Sequence, residues 1–368
     1  MNNRELALSA LKGLSPDRMP WFADLSYWYY GNQMRKNLPE QYKGEDGYLR
    51  LHQDMGVGIY LYAPSPVLER YDETVLYKEQ QNEDILVASF STPLGELKSI
   101  QRYSAQSCSL GYVEHFVKEP KDLAIMKYIF EHAIFKQNYD EFARIDRAWG
   151  PWGLPAMLPP RCTSPLQLLL TRWAGVETTV SLYMDAKNDL EATLHCLENL
   201  DNELYDMLAN APGVLIIFTE NLDASVTGQH FMQTYEIPYW QKRIKQLHNH
   251  DKLVGLHNDG SIAGSLPLLC QTDFDFVEAV TPAPVGDLDI KKIRSLTQDK
   301  IVVWGGIPGA IFSPVYSDDY FEAFVRNVLM TFPIGSAFVL GVADQVPPDA
   351  SLERVRRVRE ITDDLNCT

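Results

Sequence analysis

Apolar residues follow two rhythms along this chain. In the second half, short apolar runs (residues 214–218, 253–256, 274–277, 301–304 and 337–340), broken by charge only at Asp275, alternate with amphipathic stretches. Those stretches, at 189–208, 239–249, 263–270, 290–296, 318–331 and 351–365, repeat their apolar positions at helical spacing. Fully apolar strands between helices describe a parallel sheet covered on its faces. Five such units in half the chain, with more ahead of them, predict a single α/β domain over residues 1–368, a (β/α)8 TIM-type barrel.

The first half is less regular. Residues 4–12 read as a helix stopped by Gly13 and Pro16, and 19–25 as a first strand leading into Tyr27-Trp28-Tyr29-Tyr30. A strand is expected at 57–62. Gly56 and Gly58 precede it without a third glycine or a following helix, so no dinucleotide fingerprint is present. Residues 73–104 change character: three extended runs are separated by Asn82-Glu83-Asp84 and Pro93-Leu94-Gly95, which predicts an antiparallel β insertion in the N-terminal third. Helix is expected over 119–146, and a loop or short strand over 150–160.

Composition narrows the function. Hydrophobic residues make up 45% and charged residues 22% of 368, as in an ordinary globular protein. A formal charge of −16 argues against a nucleic-acid partner, and no apolar run reaches membrane-spanning length. The amino terminus carries no signal-peptide core, so a cytoplasmic location is expected. Cysteines 108, 162, 196, 270 and 367 form neither a disulfide framework nor a paired metal knuckle. Asn366-Cys367-Thr368 fits a glycosylation pattern but carries no weight without a secretory signal.

The candidate chemistry lies at the strand exits. His257 and Asp259 follow the run 253–256 two residues apart, a spacing that sends both side chains to one face while the chain stays extended. Glu220, Glu278 and Asp344 follow other runs, and parallel strands bring such exits to one mouth. One histidine with several carboxylates suits a divalent cation such as zinc, manganese or iron. An acidic mouth of ordinary hydrogen-bonded loops is the alternative.

Several segments are similar to the uroporphyrinogen decarboxylase superfamily, and more to its corrinoid-dependent methyltransferases than to its decarboxylases. They are Arg4-Glu5-Leu6-Ala7-Leu8, Pro16-Asp17-Arg18-Met19-Pro20, Thr92-Pro93-Leu94-Gly95, Glu220-Asn221-Leu222-Asp223, His257-Asn258-Asp259-Gly260, Trp304-Gly305-Gly306-Ile307 and residues 340–348. The resemblance implies a TIM-type barrel with its site at the strand carboxyl ends. In the methyltransferases a His-x-Cys-Gly motif and a later cysteine bind zinc. Here His257 matches the histidine, while Asp259 and Asp344 stand where the cysteines would be. The implied metal set is His257, Asp259, Asp344 and Glu220. The decarboxylases' Arg-Gln-Ala-Gly-Arg run is absent, replaced by Asp24-Leu25-Ser26-Tyr27-Trp28.

The expected activity is therefore metal-dependent methyl transfer between a small substrate, such as a methyl ether, and a corrinoid carried by a partner protein. Glu220 or Glu278 would serve as proton donor, and Tyr27, Trp28 and Trp304 would line an aromatic substrate pocket. Decarboxylation of a small carboxylic acid and a non-catalytic, ligand- or corrinoid-protein-binding barrel are the alternatives.

Overall fold

The computed structural model describes residues 1–161 and 163–366, so Cys162, Cys367 and Thr368 lie outside the described residues. Helix α1 (Asn3–Leu11) opens the chain with a reciprocal cap: Asn2 accepts from the Glu5 backbone and Glu5 accepts from the Asn2 backbone. Strand β1 is only Trp21–Phe22, and helix α2 (Ser26–Met34) carries the Tyr27–Tyr30 aromatics. The expected strand over 19–25 is thus cut short.

Strands β2 (Val67–Tyr71), β3 (Leu76–Asn82), β4 (Ile85–Thr92), β5 (Gly95–Ser104), β6 (Ser109–Glu114) and β7 (Ala133–Gln137) build the insertion. Strands β3 to β6 form an antiparallel sheet in sequence order, and β2 pairs with β7 as a separate two-stranded ribbon. The insertion therefore runs well past residue 104. Strand β7 also splits the expected 119–146 helix into Asp122–Glu131 and Tyr139–Trp149.

The remaining strands, β8 (Ala156–Met157), β9 (Leu215–Phe218), β10 (Leu253–His257), β11 (Phe276–Val280), β12 (Val302–Pro308) and β13 (Phe338–Ala343), join β1 in one curled parallel sheet. Its order is β1-β13-β12-β11-β10-β9-β8. Residues 57–62, expected as a regular strand, instead make single parallel bridges. Gly58 bridges to Phe22 beside β1, and Ile59 bridges to Gly153 ahead of β8.

Side chains alternate between two apolar environments. Phe22, Tyr60, Leu215, Ile217, Phe276, Trp304 and Val339 share the concave face with Ala7, Ala10 and Leu11 of α1. Ile216, Phe218, Val254, Leu256, Val277 and Val303 face outward onto the covering helices. Both faces are buried, which is why these strands read as unbroken apolar runs rather than as alternating ones.

Two glycines let the concave face close. A Cβ on Gly255 would lie 2.1 Å from the Phe276 ring, so the ring occupies the space that a side chain would need. At the register shift between Val277 and Val280, Ala279 is left-handed (φ 63°) and the chain bulges toward β12. Gly305 (φ 146°) accepts that bulge, since a Cβ there would meet the Val280 carbonyl oxygen at 2.7 Å. Gly255→Ala is expected to overpack this layer and to cost about 1–3 kcal/mol in urea denaturation; unchanged stability would refute the packing described.

Candidate functional site

His257 ends β10 at the same parity as Leu253 and Gly255, so it faces the concave side. The adjacent parallel strand sets Glu278 opposite it in register. Neighbouring strands lie about 4.8 Å apart, a spacing that two facing side chains span with one hydrogen bond. His257 Nδ1 accordingly meets Glu278 Oε2 at 2.5 Å. The other Glu278 oxygen accepts from Tyr60 Oη at 2.6 Å. Glu278 is buried and both its oxygens are engaged, so it orients the imidazole rather than reaching into open space.

With Nδ1 held, Nε2 points to the mouth. Asp344 Oδ1 lies 3.7 Å from it and Asp259 Oδ2 4.0 Å. One ligand atom from each of the three residues falls within 4.8 Å of the others. Ligands of a tetrahedral ion bound at about 2.0–2.2 Å stand roughly 3.3–3.6 Å apart. A small contraction of side chains that are 38% and 40% exposed would close the set around one ion. The donors are one imidazole and two carboxylates, a set suited to a divalent cation.

The electrostatics favour positive charge. Burial alone would push His257 down. The Glu278 carboxylate, then Asp344 and Asp259, outweigh burial and raise it to about 10. Asp344 is pushed up to about 7, mainly by burial, with the imidazole opposing and Glu278, Asp24 and Asp259 adding to the rise. One imidazolium cannot neutralise this many acids. Asp24, which the sequence reading missed as a site residue, is buried and raised by that burial. It accepts from Gln345 Nε2 at 2.6 Å and from the Ser26 backbone at 2.7 Å, which ties the segment after Asp344 to the start of α2. The mouth opens into a cavity of about 570 Å3 whose lining includes Tyr27, Asp223, Asp259, Asp287, Asp344 and Gln345.

The other expected site residues are placed differently. Glu220 is not part of the three-residue group. It stands two beyond Phe218, which faces outward, and so it turns toward the helices. Its oxygens accept from the Ser164 backbone at 2.9 and 3.0 Å, from Ser164 Oγ at 2.9 Å and from Trp240 Nε1 at 2.9 Å. These bonds tie Glu220 to the start of the 164–173 segment, and the structure does not bring it into the group formed by His257, Asp259 and Asp344. Trp304 is fully buried against Phe22, Tyr60 and Phe276, forming the floor beneath His257 rather than a pocket wall. Trp28 is buried and donates from Nε1 to the Ala350 carbonyl at 3.2 Å. Of the three aromatics only Tyr27 lines the cavity, with its hydroxyl donating to the Ser107 carbonyl at 2.5 Å.

No protein-family model matches the chain, and no curated protein matches it in sequence. Among solved structures, a methyltransferase from Methanosarcina mazei aligns over 99% of both chains with a TM-score of 0.63 and 13% identity. At that identity the likeness shows a shared fold. A protein described as a vitamin-B12-independent methionine synthase from Listeria monocytogenes aligns over 50% of this chain and 57% of its own, with 13% identity and a TM-score of 0.32. That alignment carries no argument.

Behind the site lies a second buried acid pair. Burial raises Glu220 to about 7 against the hydrogen bonds it accepts. Glu236 is fully buried with neither carboxylate oxygen hydrogen-bonded, and burial followed by the Glu220 charge holds it well above the usual carboxylate range. The folded state therefore keeps a proton that the unfolded chain releases above its ordinary carboxyl range. The contribution is present at low pH and is lost as pH rises, at about 1.4 kcal/mol per pH unit for one proton. Glu236→Gln should reduce this slope and gain on the native chain as pH rises above the ordinary carboxyl range in urea denaturation. Parallel stability curves for the two proteins would contradict it.

Proposed function

We propose that this chain is a metal-dependent methyltransferase that moves a methyl group between a small substrate and a corrinoid protein. In this reading the curled sheet and the bridging segment at 57–60 are a closed (β/α)8 barrel of the uroporphyrinogen decarboxylase superfamily. The observation that carries the proposal is the convergence of His257 Nε2, Asp259 and Asp344 around one point, with the imidazole fixed from behind by Glu278. The full-length likeness to a protein named as a methyltransferase supports it, as do the motif segments that resemble the corrinoid-dependent branch.

His257, Asp259 and Asp344 would hold the ion. When bound, it would supply Lewis acidity at the oxygen of a methyl ether, and carboxylates donate less charge than thiolates, so that acidity would be stronger than in a cysteine-ligated site. The chain's own part is positioning. Glu278 fixes the tautomer and orientation of His257, and Tyr60 fixes Glu278. Asp24 and Gln345 brace the turn that carries Asp344. Tyr27 lines the cavity, which is large enough for a small ether and open enough for a partner to approach. The acidic rim disfavours anionic substrates in the absence of the ion, which weighs against the decarboxylase alternative.

Purified protein is expected to hold about one divalent ion per chain by elemental analysis, and His257→Ala and Asp344→Asn to hold none. Chelator treatment should abolish demethylation of an aryl methyl ether with reduced corrinoid protein, followed by corrinoid absorbance, and readdition of zinc or manganese should restore it. Full activity after chelation, or CO2 release from a small acid without corrinoid, would reject the proposal. Glu278→Gln should weaken metal binding by about 10–100-fold, measured by competition with a chelating dye; unaltered affinity would remove Glu278 from its positioning role.

A further inference from the structure

Away from the mouth, the insertion and the 169–173 segment border a second, open cavity of about 640 Å3, lined by none of the residues that line the first. Its floor is aromatic. Phe90 of β4 stacks on Trp173 at 5.5 Å and 23°, Phe116 closes against Trp173 at 4.9 Å, and all three rings are buried. Tyr71 of β2 meets Phe90 edge-on at 5.3 Å, and Tyr77 of β3 tilts over it at 4.8 Å while remaining 44% exposed. A floor of mutually inclined rings with an open rim suits an aromatic ligand, which can meet them edge-on or face-on.

The charges around the rim point to the ligand's sign. Glu69 is the one acid among the lining residues, and Arg161 takes it up at 2.9 and 3.0 Å. Arg70 and Arg172 also line the cavity, are exposed, and have no carboxylate partner among the described residues. In a chain of formal charge −16, two uncommitted guanidinium groups beside a neutralised acid make a local positive site. Guanidinium forks match carboxylate geometry, and they bind it most strongly beside a low-dielectric wall.

We propose that this cleft binds an aromatic carboxylate, with its ring against Phe90 and Trp173 and its charge at Arg70 and Arg172. The site is separate from the metal-ligand group and does not depend on the function assigned to it. Calorimetric titration of the full chain with 1-naphthoate and with neutral 1-naphthylmethanol tests it. Naphthoate is expected to bind at least about tenfold more tightly than the alcohol, since only the carboxylate can take charge-assisted hydrogen bonds from the guanidinium groups. The Arg70→Ala/Arg172→Ala protein should bind the two probes alike, and because both side chains are exposed its fold should be retained. His257→Ala should bind naphthoate as the native chain does, and native naphthoate binding should change tryptophan fluorescence through Trp173. Equal binding of the two probes by the native chain, undiminished naphthoate binding in the double-arginine variant, or loss of binding in His257→Ala would overturn the proposal.

Discussion

A single contact organises this molecule: the buried Glu278 carboxylate gripping His257 Nδ1 from the neighbouring strand. A carboxylate and an imidazole taken out of water are costly unless paired, and here the carboxylate stabilises the charged form of the imidazole in a setting with few competing partners. Tyr60 takes up the remaining Glu278 oxygen, so the acid has no reason to turn away. The imidazole is left with one free nitrogen and one direction for it. Everything that follows at the mouth depends on that direction.

The layers beneath the contact make it possible. Phe276, Trp304, Phe22 and Tyr60 fill the concave face just below His257, and Gly255 is the concession that lets the Phe276 ring lie there. The bulge at Ala279 and the open position at Gly305 turn the end of β11 directly after Glu278. Helix α1 stops the opposite end with Ala7, Ala10 and Leu11. Rigid strands thus hold the imidazole and its anchor, whereas Asp259 and Asp344, just beyond the strand ends, keep the exposure that ligand exchange requires.

Much of this was legible in the chain. The alternation of apolar runs and amphipathic stretches after residue 189 marked the parallel strands and their covering helices, and the spacing of His257 and Asp259 marked one face. What escaped was parity. Strands buried on both sides carry no polar residue to say which face is concave, so Glu220 and Glu278 looked equivalent. One turned out to anchor Ser164 and the other to anchor His257. Strand β7 escaped because Ala133, Ile134 and Phe135 extend a helical pattern without a break, and only pairing with β2 distinguishes them. Asp24 and Tyr60 carried no local signal, because their partners, Gln345 and Glu278, lie hundreds of residues away.

Anomalous scattering from crystals grown with zinc or manganese addresses the central claim most directly. The account predicts one strong peak within bonding distance of His257 Nε2 and of carboxylate oxygens on both Asp259 and Asp344. A mouth without such a peak, or an ion bound elsewhere with His257 still pointing into an empty cluster, would contradict it.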